Sequence, residues 1–136
     1  MARMDRDALK AQIRREMEMA QDSRLEGQEG RARVCARRAA GWAVSILLAG
    51  GNTLDELGNA YKSLLWFQQQ KTVTQAIRDT AIRLTTRLTP DHRQPFDEDP
   101  LLDAERVITY VFHQDWREFP GSVDGEKEDS TEEPVE

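Results

Sequence analysis

Apolar residues recur at helical spacing along most of the chain, and this pattern predicts its secondary structure. In the first segment Leu9, Ile13 and Met17 are four residues apart, which places them on one face of an α-helix. Four further segments repeat the three- and four-residue spacing, and none alternates as a strand does. We therefore predict an all-α fold, an antiparallel bundle of four to five helices. The expected helices cover about 5–24, 29–49, 54–70, 72–88 and 100–118.

Short motifs mark where several of these helices begin or turn. The segments 53–56 (TLDE) and 72–75 (TVTQ) both have the capping-box form and should open the third and fourth helices. Asp99 and Pro100 suit the N-cap and first position of the last helix. The turn at 27–30 (GQEG) predicts that the first two helices are antiparallel.

The second predicted helix is rich in alanine and becomes apolar on nearly all sides towards its end. Its bulky apolar residues are Val34, Trp42, Ile46 and Leu47. A helix that is apolar all round is buried. We therefore expect this to be the central helix of the bundle, with Trp42 in the core.

The net charge of −6 is unevenly distributed along the chain. Residues 121–136 contain 7 acidic and 1 basic residue, which accounts for the whole surplus. Such a composition predicts a disordered acidic tail behind a single helical domain at 1–120. The tail is interpreted as a solubilising terminus or as an acidic interaction arm. Within the domain, residues 1–93 are basic, with 16 basic against 11 acidic residues, and residues 94–120 are acidic, with 2 against 7.

The composition excludes several classes of protein. A single cysteine, Cys35, cannot form a disulfide framework, and no Cys/His spacing suits a zinc site. The longest apolar run, at 42–49, is too short to span a membrane, and the charged N-terminus lacks a signal-peptide core. Nucleophile-elbow, phosphate-loop and dinucleotide motifs are absent. We therefore expect a cytoplasmic protein without metal or cofactor and without a membrane partner.

Four arginines of the second helix are candidate phosphate-binding residues. They are Arg31, Arg33, Arg37 and Arg38. Guanidinium groups pair bidentately with phosphate, so this strip could contact a nucleic acid or a nucleotide phosphate. The alternative is that the arginines pair with acidic residues of a neighbouring helix, such as Glu16 or Glu18.

Arg87 and His92 are low-probability catalytic candidates. A histidine can act as a general acid or base near neutral pH, and an arginine can stabilise developing negative charge. Together they could cleave RNA without a metal. The alternative is an ordinary solvated loop histidine, because Pro90 prevents the pair from sharing one helix.

Acidic residues crowd the entry to the last helix and could suggest a Ca²⁺ or Mg²⁺ site. They are Asp97, Glu98, Asp99 and Asp103. They lack the spacing of an EF-hand loop, and carboxylates at a helix N-terminus also complement the helix dipole. His113, near the end of the same helix, is interpreted in the corresponding structural way.

Trp66 and Phe67 are the candidate interface residues. They adjoin two leucines on the same turn of the third helix, so one of the large side chains could face outward and form a helix–helix dimer interface. A wider hydrophobic core explains them equally well.

The two-helix start of the chain, with the segment 29–50 (EGRARVCARRAAGWAVSILLAG), resembles the HEPN superfamily of small helical bundles. The resemblance implies dimerisation, an association with nucleotidyltransferase partners, and a link to RNA biology. Ribonuclease members carry an Arg-x4–6-His motif, whose spacing Arg87 and His92 match. Leu88 follows the arginine where such enzymes usually have a polar residue, and Pro90 is unexpected. The resemblance therefore implies a non-catalytic member.

These observations lead to one main hypothesis and two alternatives. The main hypothesis is a non-enzymatic helical bundle that acts through protein association, as a homodimer. The alternatives are a metal-independent, toxin-like RNA-directed nuclease using Arg87 and His92, and a binder of nucleic acid or nucleotide phosphate using the arginines of the second helix.

Overall fold

The computed structural model describes residues 6–49, 60–91 and 95–121, apart from the side chains of residues 48 and 49. Its helices are α1 (Arg6–Leu25), α2 (Glu29–Ala49), α3 (Ala60–Phe67), α4 (Gln75–Thr85) and α5 (Pro100–Phe112). A short 3₁₀ helix, Trp116–Glu118, follows. These ranges contain no strand, and the five helices pack against one another. The predicted all-α bundle is confirmed.

The first two helices form an antiparallel hairpin with α2 at the centre of the bundle. Gly27 in the turn has a φ of 78°, a left-handed conformation that glycine adopts without steric cost. The turn is closed by the Gln28 amide, which donates to the Ser23 carbonyl over 2.8 Å. From there α2 runs through the middle of the molecule and contacts each of the other four helices. The predicted position of α2 is therefore confirmed.

Small residues on α2 allow this central position. Five alanines of the helix are fully buried: Ala32, Ala36, Ala39, Ala40 and Ala43. Gly41 faces Ala60 at the start of α3 so closely that a Cβ at Gly41 would lie 2.5 Å from the Cα of Ala60. Bulky side chains at these positions would hold the helices apart.

The expectation that α2 is buried on all sides is wrong in part. Val34 and Leu47 are exposed, and Trp42 is only partly buried at the edge of the core. The reason is geometric, because the neighbouring helices leave α2 uncovered along the side of Arg31, Val34, Arg38 and Trp42, and on another side at Leu47 near its end.

Several helix ends differ from their predicted positions. The N-cap of α4 is Thr74 and not Thr72, and its hydroxyl accepts the Ile77 amide over 3.4 Å. This helix ends at Thr85, three residues before the predicted end. The third helix likewise ends at Phe67, and its predicted start, including the capping box at 53–56, lies outside the described residues.

The last helix begins as predicted and ends early. Asp99 is its N-cap, accepting the Leu101 amide over 2.9 Å, and Pro100 occupies the first turn. The helix stops at Phe112 because His113 adopts a left-handed conformation, with a φ of 56°. His113 is therefore the C-cap of α5, which agrees with a structural interpretation.

The end of the domain is held against α1. Arg14 donates from Nη1 to the Phe119 carbonyl over 2.6 Å, and the Phe119 side chain is buried. The predicted acidic tail lies beyond this point and, apart from Gly121, outside the described residues. None of the described helices is both long enough and apolar enough to cross a membrane.

Candidate functional site

The four arginines of α2 do not form one surface. Arg31 is exposed, Arg37 is partly buried, and neither makes an ion pair among the described residues. Arg38 donates to Glu16 over 3.2 Å, an acidic partner that the sequence analysis had suggested. Arg33 lies on the opposite side of the helix and is only 6% exposed. The fold therefore uses two of the four candidates for internal contacts.

Arg33 caps the C-terminal end of α4. Its Nη2 donates to the carbonyl of Arg83 over 3.1 Å and also to the carbonyl of Thr86. The carbonyl of Arg83 also accepts the Thr86 amide over 3.2 Å, so Arg33 reinforces this helix end and adds a donor to the Thr86 carbonyl. Burial, together with the neighbouring charge of Arg37, lowers the pKa of Arg33.

The second terminal nitrogen of Arg33, Nη1, is buried and has no hydrogen-bond partner among the described residues. A buried donor without a partner loses its hydration and gains nothing in return, and the cost is largest for charged groups. Nη1 of Arg33 is thus a donor for which the described part of the chain supplies no acceptor.

Arg33 forms part of the wall of a cleft of about 390 Å³, which we call the arginine cleft. The cleft is lined by Arg24, Glu29, Gly30, Arg33, Leu88, Asp97, Asp99 and Pro100. Two helices begin at its edge, since Glu29 and Gly30 start α2 and Pro100 starts α5. Its volume lies within the range of small-molecule sites.

An ion-pair network forms one wall of the arginine cleft. Arg24 donates from Nη2 to Oδ1 of Asp99 over 2.9 Å and from Nη1 to Oδ2 over 3.0 Å. It also donates from Nε to Glu29 over 2.8 Å. The hydrogen bonds from Arg24 lower the pKa of Asp99, and those from Asp99 raise the pKa of Arg24. The network joins α1, the start of α2 and the start of α5.

A second buried pair lies behind the C-terminal end of α4. Arg83 binds Asp103 through two hydrogen bonds of 2.8 and 2.9 Å, and Asp103 is 1% exposed. This contact raises the pKa of Arg83. Asp99 and Asp103 thus each have a defined structural partner. Among the described residues no group of three or more acidic, histidine or cysteine side chains could hold a metal ion.

The structure places only one member of the Arg87–His92 pair. Arg87 is exposed just after the end of α4, and His92 lies outside the described residues. Leu88, which follows Arg87, lines the arginine cleft. The segment that the sequence analysis singled out therefore borders this cleft, while the geometry of the pair is not described.

Of the two interface candidates, only Trp66 reaches the surface. Phe67 is fully buried and packs edge-on against Tyr110, with ring centroids 6.0 Å apart. Trp66 is partly buried and borders a groove of about 430 Å³, which we call the aromatic groove. The groove is lined by Leu47, Trp66, Phe67, Gln70, Thr72, Val73, Tyr110, Val111 and His113. No acidic residue, lysine or arginine is among these.

Sequence reasoning missed several residues of both surfaces. Arg24 was not singled out, although it pairs with Asp99 across 75 positions of the chain. Tyr110 was likewise missed, although it lines the aromatic groove and a shallower neighbouring hollow bordered by Leu102. The signal that could have indicated Arg24 is its position in the last turn of α1, close to the acidic start of α2.

Comparison of the chain with protein-family models, with curated proteins and with solved structures finds no match. The resemblance to the HEPN superfamily therefore stays a prediction from the sequence.

Proposed function

We propose that this protein is a non-enzymatic, cytoplasmic helical bundle that acts by association, and that it forms a homodimer through the aromatic groove. The observation that carries the proposal is the composition of the groove. About a third of the chain is charged, yet none of the nine lining residues is an aspartate, glutamate, lysine or arginine. Depletion of charge together with aromatic residues, here the partly buried Trp66 and Tyr110, is the compositional signature of an interface core.

A second copy of the chain is the occupant that this surface favours. Tyr61 and Leu65 protrude from α3, with 42% and 40% of their surfaces exposed, and they are one helical turn apart. The same short helix forms one wall of the groove through Trp66. A two-fold contact needs matching protruding and concave parts on one chain, and α3 places them next to each other.

The groove also continues along α5, which enlarges the surface available to a partner. Tyr110 lines both the aromatic groove and the neighbouring hollow, where Leu102 is 49% exposed. From Leu102 to Tyr110 the helix rises about 12 Å, and Glu105 and Arg106 border the hollow as a charged rim. A helix of a second copy could lie along this length with its apolar side chains in the groove.

The oligomeric state tests this proposal directly. Sedimentation equilibrium at micromolar concentration should give a mass near twice the 15.6 kDa of the chain. Leu65→Glu should give a monomer, because a carboxylate would lose its hydration in the interface. Ile82→Glu is the matched control, since Ile82 is as exposed as Leu65, 42% against 40%, but lies on α4 and not on the α3 surface of the proposed contact. A wild-type monomer, or a dimer unchanged in Leu65→Glu, would contradict the proposal.

A heteromeric partner of the nucleotidyltransferase type is a separate proposal that rests on the HEPN resemblance alone. A nucleotidyltransferase encoded beside this protein and purifying with it would support that association. Failure to co-purify would leave the homodimer proposal unaffected, because the light-scattering or sedimentation mass of the isolated chain tests that independently.

A further inference from the structure

We propose that the arginine cleft binds a small oxyanion, a carboxylate or phosphate group, which accepts a hydrogen bond from Nη1 of Arg33. The starting observation is the unequal use of the Arg33 guanidinium. Nη2 makes two hydrogen bonds to the end of α4, while Nη1 is buried without a partner in the described ranges. An anionic oxygen is the strongest acceptor that such a charged donor can be given.

Groups of both signs surround Arg33, and two helix N-termini are among the positive ones. Two helix N-termini reach the cleft, α2 at Glu29 and Gly30 and α5 at Pro100. Each N-terminus carries roughly half a positive charge from the aligned peptide dipoles. Arg37 lies near enough to Arg33 for its charge to lower the pKa of that residue. Burial is the largest cause of that shift and Asp103 opposes the effect of Arg37, so an anion beside Arg33 would compensate a guanidinium charge that has lost its hydration.

The acidic residues of the cleft limit the size and position of this ligand. Arg24 pairs with both Glu29 and Asp99, so these two carboxylates are largely compensated. Asp97 is exposed and makes no ion pair within the described ranges. The oxyanion therefore belongs on the Arg33 side of the cleft. A large polyanion such as nucleic acid would be repelled by the carboxylate of Asp97.

Gly30 leaves room for the ligand. A Cβ built at this position would have no neighbouring atom within 4 Å, so the cleft is open beside the start of α2. The same feature supplies a blocking variant, because a large side chain at Gly30 can enter the open space without displacing the core.

Titration calorimetry of the full-length chain at pH 7 tests the proposal, with inorganic phosphate and succinate as separate probes at constant ionic strength. Binding of either probe with Kd of about 1 mM or tighter is the expected result. Phosphate binding alone would identify a phosphate ligand, and succinate binding alone a carboxylate ligand. Weaker binding than this for both probes would overturn the proposal.

Three variants locate the site. Arg33→Ala should weaken binding by on the order of tenfold or more, because it removes a charged donor. Arg31→Ala removes the same charge from the same helix outside the cleft and should bind as the wild type does. Gly30→Phe should block binding while Arg33 and its contacts to α4 stay in place. This variant therefore tests whether the probe binds in the arginine cleft even if Arg33→Ala does not fold. Undiminished binding in Gly30→Phe would overturn the assignment.

Discussion

Replacing Gly41 by alanine should destabilise the bundle, although alanine is the better helix former. A Cβ at this position would lie within 2.5 Å of both the Cα and the carbonyl oxygen of Ala60, and nearer still to the Ala60 Cβ. Two of these three atoms are backbone atoms, which cannot rotate away. Relief therefore requires α3 to move away from α2 as a unit.

The size of the effect follows from that displacement. Non-bonded carbon atoms rest about 3.5–4.0 Å apart, so α3 must shift by about 1 Å, which forfeits about a quarter to a half of the dispersion energy at the contact. Leu64 and Phe67 of α3 are fully buried. Burial of each side chain contributes about 1.5–3 kcal/mol, so losing a quarter to a half of this for both side chains costs roughly 1–3 kcal/mol. Residual overpacking adds about 1–3 kcal/mol, and the better helix propensity of alanine returns about 1 kcal/mol. We expect a net loss of about 1–5 kcal/mol.

Urea unfolding followed by far-ultraviolet circular dichroism measures this loss. The midpoint of unfolding should fall by roughly 1 M, with the slope unchanged. Gly30→Ala is the matched control in the same helix, because its Cβ would meet nothing within 4 Å. The control should be neutral or stabilising by about 0.5–1 kcal/mol. A Gly41→Ala chain as stable as the Gly30→Ala chain would refute the close approach of α2 and α3.

Three further outcomes are expected. Asp99→Ala should cost about 0.5–2 kcal/mol through loss of the helix cap, whereas Asp99→Asn keeps the cap and loses only the ion pair with Arg24. Because folding lowers the pKa of Asp99, the wild type should be more stable to urea than Asp99→Asn above about pH 4, and this difference in stability should shrink at lower pH. A difference in urea midpoint that does not change with pH would contradict this. Asp103→Ala should cost about 1.5–3 kcal/mol in urea unfolding, since it removes two charge-assisted hydrogen bonds from the partly buried Arg83, which retains Glu98 at 4.0 Å, and a loss below about 0.5 kcal/mol would show that the pair does not form in solution. Finally, the purified chain should leave single-stranded RNA intact, and cleavage that disappears in His92→Ala would contradict the non-enzymatic proposal.

Local sequence patterns were sufficient where neighbouring residues determine the structure. The spacing of apolar residues located α1 and α2 to within one residue, because a helical face repeats every 3.6 residues whatever it packs against. Asp99 and Pro100 identified the start of α5 because capping is a contact between residues two or three positions apart. The early ends of α3, α4 and α5 were not predictable in this way, since helical sequence continues beyond each of them.

The candidate sites depended on contacts that no local pattern contains. Four arginines of α2 looked equivalent in sequence, but the fold turns Arg33 into the cap of α4 and pairs Arg38 with Glu16. In the same way, Phe67 enters the core while its neighbour Trp66 stays at the groove.

The sequence by itself therefore determined the helical class, the central α2 and the start of α5. Only the tertiary structure decided which charged and aromatic side chains are used inside the molecule and which remain for a partner. The physical reason is that helix formation depends on neighbours within one or two turns, whereas the fate of Arg33 depends on the carbonyls of Arg83 and Thr86, 50 and 53 positions further along the chain.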